Sequence, residues 1–325
     1  MNVRGTVVVV GSGIIGCAIA RELAVRGVAC AVVDDRPIGG GATQASAGIL
    51  APHVEAHAGG PLLDLGVRSL ELYDDWIAAV RRESGIAVEY RRIGTLETGM
   101  SREDRVVPEH GYVAAAQLTA ALAQVAESRG TVFHRARVAR VEQQAAFLRV
   151  ITTTAAFDAR QVVLAAGAWT NAIDGVPTPP MRPVRGQLLQ LVWTGPPLAT
   201  IVWGPDCYVV PRLDGSILVG ATVEDAGFDE RTTEAGIGGL LNAVHALLPA
   251  TTTARLIEAR VGLRPATPDE LPVIGQDPDV PGLIHASGHY RNGVLLAPIT
   301  AKLIGDLIVE GREDPALRAF RADRF

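Results

Sequence analysis

The sequence predicts an α/β protein, a helix-covered parallel sheet joined to an inserted α+β unit built on an antiparallel sheet. Three observations carry this. Residues 6 to 34, TVVVVGSGIIGCAIARELAVRGVACAVVD, read as strand, glycine turn, helix and second strand. Two later stretches, Phe157 to Ala165 and Gly282 to Gly288, are strands that end in small residues, as strands meeting a ligand at a sheet edge do. Between them, Gly186 to Val261 offers strands separated by turn residues, without alternating helices.

The first unit is complete. Val7 to Val10 form an apolar run too short for a helix and suited to a strand buried on both faces. Gly11, Gly13 and Gly16 follow at G-x-G-x-x-G spacing: Gly11 for the tight turn, Gly13 for close approach of a pyrophosphate, Gly16 for close helix packing. The helix offers its free N–H groups to phosphates and runs to about Arg26, with Gly27 as a stop signal. Ala29 to Val33 then deliver Asp34, eighteen residues after Gly16, where a carboxylate can accept hydrogen bonds from an adenosine ribose. This is a Rossmann-type dinucleotide unit. An acid at Asp34 suits an unphosphorylated ribose better than a 2′-phosphate, which it repels; this disfavours NADP and leaves FAD or NAD.

At 325 residues two domains are expected, with the first discontinuous: 1–85, 112–175 and 260–325 for the dinucleotide, 86–111 and 176–259 for the substrate. The net charge of −5 argues against a nucleic-acid partner. Cys17, Cys30 and Cys207 show no metal or redox spacing, so no metal site is expected, and buried thiols in a reducing cytoplasm fit best. A strand starting near residue 6 leaves no room for a signal peptide, and Lys302 and Asp306 break the apolar stretch Val294 to Val309, so no membrane partner is expected. Self-association into a homo-oligomer stays open.

Along the chain, Gly39 to Ile49 form a second glycine-rich segment, either a flexible loop or backbone lying against an extended ligand; Ile49-Leu50 favour the packed alternative. Pro61 opens a helix to about Arg82 on the spacing of Leu62, Leu65, Leu70, Tyr73, Trp76, Ile77 and Val80. Residues 86 to 98 suggest strands, while 99 to 113 show little periodicity. Ala114 to Ser128 read as a helix, and Val132 to Val141, Phe147 to Thr153 and Phe157 to Ala165 as three strands, the last leading into Gly167. Pro177 to Pro183 mark a boundary. Beyond it come strands at Gly186 to Trp193, Ala199 to Trp203, Cys207 to Pro211, Ile217 to Ala221 and Leu256 to Val261, with a helix at about Glu234 to Leu248. The end reads as strand, turn and helix, aiming a second helix N-terminus at a ligand.

Five stretches together, GSGIIGCAIARELAVRG, GGGATQASAGILAPH, CYVVPR with LVGAT, GLRPATPDELPVIG and GHYRNGVLLAP, resemble the FAD-dependent D-amino-acid oxidase family, in particular its glycine oxidase branch. The resemblance covers nearly the whole chain. It implies FAD extended across the first domain with its ring against the antiparallel sheet. Ile14 and Ile15 would touch the pyrophosphate, and Asp34 with Asp35 the ribose. Ala42, Thr43, Ala47, Gly48 and Ile49 would follow the ribityl chain and ring, and Val138 the adenine side. His289, Tyr290, Arg291, Asn292, Gly293, Val294 and Leu295 would cover the pyrimidine edge. The family's substrate residues fall on Tyr208, Arg264 and Arg291. Some relatives tether the flavin through a histidine in the second loop or a cysteine near the C-terminus; neither is present here, so the FAD is expected to be non-covalent.

The chemistry agrees. A guanidinium grips an amino acid's carboxylate bidentately, where lysine could not fix orientation. Arg264, in an apolar run, needs an anion, either a substrate or a structural partner such as Glu258. Tyr208 can serve the core as well as a ligand, Arg291 can be a turn residue, and His289 reads as a held turn histidine rather than a general base. With the substrate oriented, the amine lone pair expels the Cα hydrogen as hydride to the flavin; water then hydrolyses the imine, and O2 reoxidises the cofactor. An NAD-linked dehydrogenase and a flavin-binding protein without turnover are the competing readings.

Substrate size is where the chain departs from the branch. Glycine oxidases usually carry more than the short stretch Met100 to Val113 before the returning helix. Ile49 and Val223 replace frequent methionines, and Asp206, two residues before Tyr208 and expected on the same strand face, stands where histidine is common. A shorter roof predicts an N-substituted glycine as substrate, with glyoxylate and a primary amine as products; loss of an oligomer contact would explain the shortening equally.

Overall fold

The computed structural model describes residues 7–55, 59–101 and 103–325. Thr6, at the start of the first strand's sequence signal, and Arg102, within the Met100 to Val113 stretch, lie outside the described residues. The chain opens with β1 (Val7–Val10), α1 (Ile14–Val25) and β2 (Cys30–Asp34), as its periodicity predicts. After the second glycine-rich loop come β3 (Ile49–Leu50), α2 (Pro52–Glu55) and α3 (Pro61–Ser84), whose first turn holds Pro61 and which Gly85 ends in the left-handed conformation. Four short strands follow, β4 (Tyr90–Arg92), β5 (Thr95–Glu97), β6 (Arg105–Val107) and β7 (Gly111–Val113). The last two fall where the sequence shows little periodicity, because three residues are too few for alternation to register.

Beyond α4 (Ala115–Ser128) lie β8 (Val132–Arg135), β9 (Val138–Gln143), β10 (Leu148–Thr152), β11 (Ala156–Ala159) and β12 (Gln161–Leu164). Two single strands of the sequence reading are thus each divided, at residues 136–137 and at Arg160, where the chain changes sheet without glycine or proline to announce it. Then come β13 (Arg182–Val192), β14 (Ile201–Trp203), β15 (Tyr208–Pro211), β16 (Ser216–Gly220), α5 (Glu234–Leu247) and β17 (Leu256–Ala266). β17 continues five residues past Val261, and β13 begins before Gly186, at Arg182, so that Pro183, within the proline boundary, lies inside the strand opposite Pro265. As the outermost strand, β17 tolerates a proline. The chain closes with β18 (Val273–Gln276), β19 (Leu283–Ser287) and α6 (Gly293–Glu310).

One sheet has the order β18-β19-β12-β1-β2-β8, all parallel but for β18. Val7 and Val9 pack into the layer of α1, α3, α4 and α6, while Val8 and Val10 pack against the small sheet β11-β10-β9. This explains the unbroken valine run, since each face of β1 meets apolar side chains. Within the helical layer α6 lies along α1, locked by Arg26 Nη1 to Asp306 Oδ1 at 2.8 Å. The other large sheet, β17-β13-β16-β15-β14-β5-β6, is antiparallel apart from the β14–β5 pair. Among the described residues no helix is long and apolar enough to cross a membrane.

Candidate active site

A cavity of about 440 Å³ lies where the carboxyl ends of β1, β2, β12 and β19 face β13, β15 and β17. At one end β1 turns through Gly11 (φ 108°), where a side chain would overlap the main chain of Ala165. At Gly16 an added Cβ would run into the Gly11 carbonyl, whereas at Gly13 it would meet only Thr43 Oγ1, at 3.6 Å. Thus two glycines serve packing, and Gly13 leaves the start of α1 open to the cavity. The second loop is packed, not loose: Ile14 N donates to Thr43 Oγ1 at 3.1 Å, Gly39 N to the Ser12 carbonyl and Val113 N to that of Gly48, both at 2.9 Å. Asp34 is oriented from both sides, Oδ2 accepting from Ser12 N (2.6 Å) and Oγ (2.9 Å) and Oδ1 from Arg36 N (2.9 Å).

At the opposite end Arg264, half-buried on β17, donates from Nη1 to the Thr222 carbonyl at 3.0 Å. Glu258, its alternative structural partner, instead takes Arg260 Nε at 2.7 Å. Tyr208 stacks obliquely on Trp203, ring centroids 5.1 Å apart, and Ile49 packs into the same apolar cluster. Arg291 is exposed but lines the cavity wall. His289 is buried with Nε2 3.1 Å from Thr300 Oγ1, and burial pushes its pKa down to about 3, so it stays neutral. The start of α6 reaches the cavity at Gly293 and Val294, and its cap Asn292 makes no side-chain capping bond, so the positive helix end is available to a ligand.

Of the residues singled out from sequence, Gly11, Gly13, Ile14, Ile15, Asp34, Asp35, Ala42, Thr43, Ala47, Gly48, Ile49, Val138, Gly167, Tyr208, Arg264, His289, Tyr290, Arg291, Gly293 and Val294 line this cavity. Gly16, Asn292 and Leu295 support it from behind: Leu295 gives its carbonyl to Ser69 Oγ at 2.6 Å, and Asn292 N reaches the His289 carbonyl at 2.8 Å. Asp206 and Val223 are not brought to it. β15 begins at Tyr208, so strand alternation does not extend back to Asp206, which is exposed in the preceding turn; Val223, 61% exposed, sits in the loop after β16. Sequence reasoning missed Arg36, Trp169 and Gly186, which also line the cavity. Adjacency to Asp34-Asp35 was a usable signal for Arg36.

These residues fit FAD: an open helix start for a pyrophosphate, an oriented carboxylate for a ribose, and a second helix start with an arginine at the ring end. Cys17, Cys30 and Cys207 are free and buried, and none of them lines the cavity.

Comparison with known proteins agrees. The family model DAO, FAD dependent oxidoreductase, matches residues 6–107 and 105–307. The bifunctional protein ThiO/ThiG of Synechocystis sp. is 34% identical over 363 residues, covering 100% of this chain and 55% of that protein; the chain thus spans about half the length of this relative. The glycine oxidase of Geobacillus kaustophilus is 30% identical over 354 residues, covering 95% of this chain and 94% of the relative. The crystal structure of glycine oxidase from that species matches with a TM-score of 0.94 at 30% identity over 98% of each chain. With FAD-shaped features at both ends of its cavity, the chain belongs to the DAO family of FAD-dependent oxidoreductases.

Proposed function

We propose that the protein oxidises the Cα–N bond of glycine or an N-substituted glycine, giving glyoxylate, ammonia or a primary amine, and hydrogen peroxide from O2. The observation that carries this reading is Arg264, a guanidinium held by a main-chain carbonyl at the end of the cavity reached by α6. FAD, when bound, supplies the acceptor for the hydride that leaves Cα.

Arg264 takes the substrate carboxylate and, through its planar fork, fixes the direction in which Cα points. Tyr208 and Ile49 bound the same space; the apolar surface of Ile49 disfavours a charged ammonium and so favours the neutral amine, whose lone pair drives hydride loss. His289 takes no proton, because it is already held neutral against Thr300. One water completes the stoichiometry by hydrolysing the imine to glyoxylate and amine.

The exposed position of Arg291 among the lining residues supports a cavity open to solvent at this end, which gives an N-substituent a way out. Asp206 and Val223 take no part in this reading. Peroxide release from glycine, sarcosine, longer N-alkylglycines and D-alanine tests it. A steady fall in kcat/KM as the N-substituent grows restricts the substrate to glycine, and flavin-loaded protein that turns over none of them removes the amine-oxidase reading.

A further inference from the structure

Arg36 stands two residues past Asp34, yet its side chain is committed to the other half of the molecule. Its guanidinium meets the Glu230 carboxylate with both prongs, Nη1 to Oε1 at 2.8 Å and Nη2 to Oε2 at 2.6 Å. Glu230 lies in the loop 221–233, which leads from β16 of the antiparallel sheet to α5. The pair is half-buried, each side chain 30% exposed. The face of the guanidinium lies 3.9 Å from the Trp169 ring centroid, and Phe228, from the same loop as Glu230, packs obliquely on Trp169 at 6.0 Å. A third tether runs from Arg36 Nη1 to the Gly40 carbonyl at 3.3 Å.

The far side is anchored as well. Asp229, next to Glu230, reaches Arg185 on β13 at 3.2 Å, and Arg185 also holds Glu224 at 2.5 Å. The loop therefore presents Glu230 from a braced support. Arg36, Gly41 and Trp169 all line the cavity beside Asp34 and Asp35, at the adenosine end.

From this arrangement we infer that the Arg36–Glu230 pair is a clasp that retains the cofactor: it ties the two sheets together over the adenosine half of the channel, and its opening governs release of FAD. The inference rests on the assignment of this cavity to FAD. The chemistry separates it from the simpler alternative, in which Arg36 is a direct phosphate ligand. Glu230 neutralises Arg36, so removing that acid would strengthen a phosphate ligand but open a clasp.

The experiment follows flavin release from the holoprotein by the rise in flavin fluorescence after dilution, for the wild type, Glu230→Gln, Arg36→Gln, the double variant, and the exchange Arg36→Glu with Glu230→Arg. A clasp predicts that both single variants release FAD roughly fivefold to tenfold faster and that the double variant is no faster than either. The exchanged pair should return part of the retention, a recovery that a general loss of folding would not give. Release that is unchanged or slower in Glu230→Gln overturns the clasp while leaving the FAD site intact. A purified protein with no flavin, and none taken up on adding FAD, overturns both.

Discussion

The guanidinium of Arg264 lies against Gly186, at the place a side chain on residue 186 would occupy. A Cβ there would overlap Nη1, Nη2 and Cζ. The two residues stand on neighbouring strands, where Val184 pairs with Arg264 and Gly186 with Gly262, so the arginine is seated in a notch of the sheet.

Gly186→Ala should therefore displace the arginine without touching the dinucleotide end. Flavin content is expected to hold while the KM for the amino-acid substrate rises on the order of tenfold or more, the scale of a misplaced orienting group. Steady-state kinetics beside an absorption spectrum of the bound flavin checks it; an unaltered KM would mean the seat is unimportant.

Arg264→Lys leaves a charge but removes the fork. The protein is expected to fold and bind flavin, with loss of transition-state stabilisation of about 2–5 kcal/mol in kcat/KM, dominated by KM. A wild-type KM in this variant assigns Arg264 a structural role.

Flavin should leave the chain on acid precipitation. The free cysteines are buried, and burial pushes the Cys207 thiol up to about 11 and that of Cys17 higher still, so neither is a thiolate able to attack a ring. Colour in the supernatant confirms non-covalent binding; colour in the pellet refutes it.

Acid should destabilise the fold through its buried histidines. Free imidazole in an unfolded chain titrates near 6.5, but burial holds His289 at about 3, and burial followed by the neighbouring His53 holds His110 at about 4. Between these values and 6.5 the unfolded state binds more protons, so stability is complete above the unfolded pKa and falls as pH drops through the window. Each group adds up to about 1.4 kcal/mol per pH unit there. Thermal unfolding across that range should show Tm declining less steeply for His289→Gln than for the wild type; parallel curves would exclude the residue.

The sequence displayed the Val7 to Asp34 unit because strand, glycines, helix and acid are local and each has its own signature. Arg264 was legible for a different reason, a charge in an apolar run. What holds it was not: Gly186 and the Thr222 carbonyl come from other strands and loops, and a backbone oxygen carries no mark in a sequence. The clasp was hidden likewise, with Arg36 and Glu230 separated by 194 residues. Asp206 shows how the alternation rule misleads, for it holds only inside a strand, and β15 starts two residues too late.

α1 and α6 both begin at the cavity and are locked together farther along by Arg26 and Asp306. Their starting points are consequently spaced by packing in the helical layer, whatever is bound. Two helix starts that favour negative charge thus face one cavity at a spacing fixed by the protein's own packing.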